Sequence, residues 1–171
     1  AAKVYAIDVG YGQLDWKLRS DLRVAVMERT NARFMEPTWF SEPLDFASMD
    51  VSFISIRLIL PGIYDCLREG AKSVVLVKPQ FEAGKGMVGK NGVVRDPALH
   101  LKVLSDAVQF ASSLGFEVEA MDFSPIRGPK GNIEFLLLLR KPGADESIAA
   151  LDAEVQAQRV VREAHDAHNG A

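Results

Sequence analysis

Val74-Val75-Leu76-Val77-Lys78-Pro79-Gln80-Phe81-Glu82 is the stretch on which the fold turns. Four consecutive apolar residues, three of them β-branched, predict a strand buried on both faces of a parallel sheet. The run stops at Lys78, and Pro79, which has no backbone N–H to donate, prevents further pairing. A lysine at the end of a buried strand lies on the carboxyl edge, where open α/β sheets hold their ligands. Taken alone, Lys78 reads more simply as a surface lysine that begins a loop. The stretch Phe46-Ala47-Ser48-Met49-Asp50-Val51-Ser52-Phe53 shifts that balance, because it reads as a second strand ending in an acid. A helical pattern over 56–69, closed by Gly70, separates the two. A strand–helix–strand crossover of that length sets Asp50 and Lys78 at adjacent strand ends on one edge.

The length of 171 residues suits one domain with a substantial core. With 48% hydrophobic and 25% charged residues, the composition is that of an ordinary globular protein. Every apolar stretch is too short to span a bilayer, and no signal peptide or lipidation motif is evident. No stable membrane insertion is expected. A single cysteine, Cys66, forbids an internal disulfide and fits a reducing cytoplasm. The net charge of −3 gives no general attraction to phosphate backbones, so nucleic-acid contact would need a local basic patch or a separate module.

Ahead of Asp50, residues 3–9 read as a strand ending near Asp8, Gly10-Tyr11-Gly12 breaks it, and 13–20 reads as a short helix. Val24-Ala25-Val26-Met27 is the next strand, closed by Glu28-Arg29-Thr30-Asn31. This order imitates a dinucleotide fingerprint, but Asp15 stands where a third small residue is needed and would face a pyrophosphate with like charge. Residues 33–44 contain two prolines and read as an irregular connection. After Lys78, residues 81–95 hold four glycines and three lysines or arginines. They read equally as a lid that touches phosphates and as a plain surface loop. Their Gly-Lys-Gly lacks the spacing and hydroxyl residue of a P-loop.

Asp96-Pro97 opens a helix as N-cap and first-turn proline, carried by Val103, Ala107, Ala111 and Leu114 and ended by Gly115. Residues 116–120 alternate as an edge strand does. Ser124 to Gly131 is a proline- and glycine-rich loop, and 132–140 is the last strand. So short a loop favours an antiparallel hairpin, which brings the start of the last strand, and Glu134 with it, to the edge that carries Asp50 and Lys78. Glu134 also reads as an acid that merely flanks a hairpin. From 143 to 171 the composition shifts to alanine and charge, with Ile148, Leu151, Val155 and Val161 marking an amphipathic helix docked on the domain. Glu163, His165, Asp166 and His168 read as a solvated, fraying terminus rather than a metal pair. No metal is predicted.

The order Asp-Val-Ser-Phe-Ile-Ser (50–55), Val-Lys-Pro-Gln-Phe-Glu (77–82) and Gly-Asn-Ile-Glu-Phe (131–135) resembles the TlyA family. These are ribosomal-RNA 2′-O-methyltransferases, often labelled haemolysin A and related to FtsJ-type enzymes. Residues 4–19 and 28–33 match as well, so the likeness runs from Lys3 to about Arg140. It implies an α/β, Rossmann-like S-adenosylmethionine-dependent methyltransferase sheet over residues 1–142, mostly parallel with an antiparallel last strand; the helical tail over 143–171, read from composition, lies beyond the likeness. It also implies a Lys-Asp-Lys-Glu tetrad, of which Asp50, Lys78 and Glu134 match the last three members. Asp8 would bind the cofactor ribose, Asn31 and Ala32 would lie by the adenine, and Asp50 would border the cofactor. The family's first strand, its glycine-rich loop, the first tetrad lysine and an upstream S4-type RNA-binding domain have no counterpart here. A gap beside the strand ending at Asp50, or closure of its neighbours, is therefore expected.

The reaction that the resemblance implies is in-line methyl transfer from a sulfonium to a ribose 2′-hydroxyl of ribosomal RNA, free or in a ribosomal subunit. Alignment and a base should dominate its rate, and Lys78 is the candidate base. Without a second lysine, the two carboxylates favour the ammonium form, so impaired activity is expected of this chain alone. A non-catalytic RNA- or nucleotide-binding fragment is the alternative. A nicotinamide-binding oxidoreductase and a membrane-acting haemolysin rank behind it.

Overall fold

The computed structural model describes residues 1–84, 86–144 and 152–169. Two short strands, β1 (Val4–Ile7) and β2 (Val24–Met27), pair in parallel and are linked through α1 (Trp16–Arg19). Asp15 caps α1 by accepting from Lys17 N at 2.8 Å. The charge that spoils a dinucleotide fingerprint thus serves as an N-cap. Two 3₁₀ turns, Ala32–Phe34 and Pro37–Trp39, lead to the main sheet.

That sheet has four strands: β3 (Leu44–Met49), β4 (Leu67–Val77), β5 (Glu117–Phe123) and β6 (Phe135–Arg140), in the order β3-β4-β6-β5. Strands β3 and β4 are parallel, joined through α2 (Leu60–Cys66), while β6 runs antiparallel to both of its neighbours. The last strand is therefore the reversed one. Of the two outcomes expected beside Asp50, the gap is observed: among the described residues β3 pairs only with β4 and β1 only with β2. The strands form two sheets rather than one.

Two predicted details differ. Helix α2 ends at Cys66 and Leu67 already pairs with Leu44, so the segment assigned to the end of a helix is strand. Lys141 supplies the reason, because its Nζ donates to the carbonyls of Tyr64 and Leu67, both at 2.8 Å. A lysine from beyond β6 thus satisfies the helix's orphan acceptors. Gly70, with φ +75°, serves the irregular start of β4 and donates its N–H to Lys141 O. The second difference lies in β4 itself. Val75 and Val77 are fully buried, but Val74 and Leu76 are only half-buried, so one face of the sheet is the better covered.

The core gathers Val75, Val77, Phe135, Leu137 and Leu139 with Leu104, Ala107 and Ala111 of α4 (Pro97–Ser113). A fully buried side chain of this kind contributes about 1.5–3 kcal/mol. Asp96 caps α4 through Ala98 N at 2.9 Å. Helix α5 (Ala153–Asn169) joins the same core through Ala157, Val160, Val161 and Ala164. The buried stripe is displaced from the predicted one: Val155 is exposed, and Ile148 and Leu151 lie outside the described residues. Alanines add little to a hydrophobic pattern but allow close helix approach. The fraying terminus is also corrected. His165 Nε2 lies 2.8 Å from His100 Nδ1, and buried His168 reaches Ser124 O at 3.2 Å through Nε2. Among the described residues, no helix is long and apolar enough to cross a membrane.

Candidate active site

The site is built where β3 and β4 end and β6 begins. Buried Lys78 follows β4 directly, and its Nζ lies 2.5 Å from Asp50 Oδ1 and 3.0 Å from Ser52 Oγ. The Lys78 side chain is 10% exposed, whereas that of Asp50 is 71% exposed. The ion pair therefore joins a desolvated amine to an acid that faces open solvent, which leaves the acid's side accessible to a ligand.

The loop that carries Asp50 and Ser52 is held from the other side by α3 (Pro79–Glu82), the turn after Lys78. Glu82 accepts from Ser55 Oγ at 2.6 Å and from Ile56 N at 2.8 Å. Phe81 meets the exposed ring of Phe53 at 5.1 Å between centroids. Phe53 adopts φ +63°, a left-handed conformation that costs a non-glycine residue of order 1–3 kcal/mol.

Glu134 is buried and precedes β6. The antiparallel register pairs Val77 with Phe135, so Lys78 and Glu134 stand one step further on, facing each other at the same edge. Glu134 Oε1 accepts from Gln80 Nε2 at 3.2 Å. Its carboxylate lies against Gly128, where an added Cβ would stand 2.1 Å from Oε1. Asn132 pins the preceding hairpin to the 81–95 segment, accepting from Val94 N and donating to Gly92 O, both at 3.0 Å. Val93 and Val94 are buried, so this end of the predicted lid is anchored.

Asp8 directly follows β1, Asn31 lies in the loop after β2, and Thr30 N donates to Asp8 O at 3.0 Å between them. Asp8 Oδ1 accepts from Gly10 N at 2.6 Å, and the residue is exposed. Asn31 is exposed too, and its Oδ1 caps the following turn through Arg33 N at 3.0 Å. Ala32 is half-buried against the main core. Glu28 holds the Gly10–Gly12 turn, accepting from Gly12 N at 2.7 Å while pairing with Arg19.

The structure thus brings Asp50, Lys78 and Glu134 to one rim and keeps Asp8 and Asn31 apart from it, beyond the ends of β1 and β2, while Ala32 packs against the main core. An acid at one strand end and an amide at the next match the donors and acceptors of a nucleoside's ribose and base. Sequence reasoning did not single out Ser52, Gln80, Glu82 or Gly128. The first three sit inside the stretches already quoted, and Gly128 sits among the prolines and glycines of the hairpin loop.

The FtsJ-like methyltransferase family profile matches residues 1–141. The chain is 51% identical over 166 residues to "Putative rRNA methyltransferase YqxC" of Bacillus subtilis, covering 96% of this chain and 59% of that protein. It is 44% identical over 163 residues to the 16S/23S rRNA (cytidine-2′-O)-methyltransferase TlyA of Mycobacterium tuberculosis, covering 95% of this chain and 60% of TlyA. A solved structure, "Putative hemolysin from Streptococcus thermophilus", superposes with a TM-score of 0.91 at 49% identity, over 99% of this chain and 60% of that one. The chain spans about three fifths of the length of these relatives.

Proposed function

The chain belongs to the FtsJ-like methyltransferase family, and on that premise we propose that its rim transfers a methyl group from S-adenosylmethionine to a ribose 2′-hydroxyl of ribosomal RNA. The observation that carries this reading is the Lys78–Asp50 ion pair with Glu134 facing it across the β4–β6 register. It gathers one amine and two carboxylates from three distant parts of the chain, with the amine buried and one acid open to solvent.

S-adenosylmethionine, when bound, supplies an electrophilic methyl group on a sulfonium. Asp8 would hold the ribose hydroxyls of this cofactor through the carboxylate oxygen that Gly10 leaves free, and Asn31 and Ala32 would border its base. Two tasks remain for the rim: aligning a weak nucleophile and taking its proton. Lys78 Nζ is the group placed to take that proton, a step that requires it as the neutral amine with its own proton already released to solvent. Asp50 and Ser52 fix where that nitrogen stands. Glu134 closes the far side and confines the hydroxyl between itself and Lys78. Asp50, with its open face, borders the cofactor side. On this reading the partner is ribosomal RNA, alone or within a ribosomal subunit, and the setting is the cytoplasm. The three-fifths coverage also leaves room in the intact protein for an additional RNA-binding domain of the S4 type.

Lys78→Ala, made in the full-length protein because impaired activity is expected of this chain alone, tests the assignment. We expect methyl transfer to ribosomal RNA to fall at least about a hundredfold, the range for losing a positioned acid–base group. Far-ultraviolet circular dichroism and S-adenosylmethionine affinity should stay close to those of the unaltered protein. Methylation within twofold of normal would sink the role of Lys78.

A further inference from the structure

We propose that Gln80 is a positioning residue for Glu134, its amide fixing the carboxylate's direction in the rim. The inference rests on the reading of that rim as the methyl-transfer site. Among the described residues, Gln80 Nε2 is the donor that the structure gives Glu134, at 3.2 Å. Two polar groups of the adjoining loop are already engaged. Gly128 N donates to Asn132 O at 2.9 Å, and the Asn132 side chain is taken up by Val94, Gly92 and Pro129.

Two further observations fix the sense of the contact. The carboxylate is pressed against Gly128 so closely that an added Cβ would also meet Cδ at 2.5 Å, so one side of Glu134 is backbone and the other is Gln80. Gln80 Oε1, in contrast, is buried without a hydrogen-bond partner. Turning the amide over would set that oxygen against the carboxylate, lone pair to lone pair. The orphaned oxygen is thus the consequence of keeping the N–H on Glu134, and a buried unsatisfied acceptor persists only where something else requires it. Gln80 sits two residues after Lys78 in the same turn, so one rigid segment sets the amine and aims the acid opposite it.

The test compares Gln80→Leu and the near-isosteric Gln80→Glu with the unaltered sequence, each in the full-length protein, measuring kcat, KM for S-adenosylmethionine and the pH profile on ribosomal RNA. Gln80→Leu should lower kcat on the order of tenfold to a hundredfold, the scale for groups that orient a reacting residue, with KM changed less than about threefold. Gln80→Glu sets two carboxylates together, which favours a shared proton. Its activity relative to the unaltered protein should therefore climb as pH falls from 8 to 6, because the shared proton restores a donor to Glu134. Lys78 is the charged neighbour set opposite by the register, and it is the same in every variant. A Gln80→Leu kcat within twofold of normal, or a Gln80→Glu ratio that does not change with pH, overturns the inference. Glu134→Gln separates this failure from failure of the reading beneath it. Full activity of Glu134→Gln removes the rim's role and the inference with it, whereas an inactive Glu134→Gln beside normal Gln80 variants removes the inference alone.

Discussion

At the scale of single residues, Gly128 shows how a site depends on an atom that is not there. Its φ of −68° suits any amino acid, so backbone strain is not what requires glycine. The requirement is the close approach of Glu134, whose Oε1 would stand 2.1 Å from an added Cβ. Gly128→Ala should therefore lower stability by about 1–3 kcal/mol, as overpacking does, or displace the carboxylate and separate it from Gln80. A urea midpoint measured together with the methylation rate reads both outcomes. Unchanged values of the two would mean that Glu134 has room to spare. At this scale Asp50, Lys78 and Glu134 were legible because each flanks a strand end, a property of local pattern. Gln80 and Gly128 were not: Gln80 meets Glu134 across a long stretch of chain, and the Gly128 contact depends on how the hairpin loop folds back on that carboxylate.

Among elements, the α4–α5 contact carries a titration. His100 is fully buried, and burial first, then the neighbouring His165, pushes its pKa down from 6.5 to about 4. Burial lowers His165 in the same direction, with Asp96 and Asp166 opposing. Between these values the unfolded chain binds a proton that the native one refuses. The stabilisation is thus complete above about pH 6.5 and is lost as pH falls toward 4, by up to about 3 kcal/mol. Guanidinium unfolding at pH 7.5 and pH 5 should show the lower midpoint at pH 5. A flat response across that window would mean that His100 is not shielded as the structure has it. The helix itself was foreseen, but its buried stripe was not. Ala157 and Ala164 carry it, and alanine weighs little in a periodicity count although it decides how closely two helices approach.

For the molecule as a whole, the division into two sheets has energetic consequences. Neither β1 nor β2 contains a fully buried residue, whereas β4 and β6 hold Val75, Val77, Phe135, Leu137 and Leu139 with no exposed surface. The first sheet is joined to the rest partly by the ring of Tyr5 against Phe40, 4.8 Å between centroids, and by Tyr5 Oη with Ser41 Oγ at 3.1 Å. Local opening free energy follows buried contact, so the amides of β1 and β2 should exchange with deuterium well before those of β4 and β6. Phe40→Ala should widen that difference by accelerating the first sheet alone. Equal exchange in both sheets would show that they open as one unit.

Which strands form, where all but β5 stop, and that the last one turns back were determined by the sequence by itself, because hydrophobic period, proline and short loops act over a few residues. The family motifs were equally legible, being runs of adjacent residues. Only the tertiary structure decided that α2 ends at Cys66 under the reach of Lys141, that Ser52 completes the setting of Lys78, and that Gln80 is turned toward Glu134. Each of these is a hydrogen bond between groups far apart in the chain. Such a bond requires both partners to have been carried to within about 3 Å, and no local pattern records that distance.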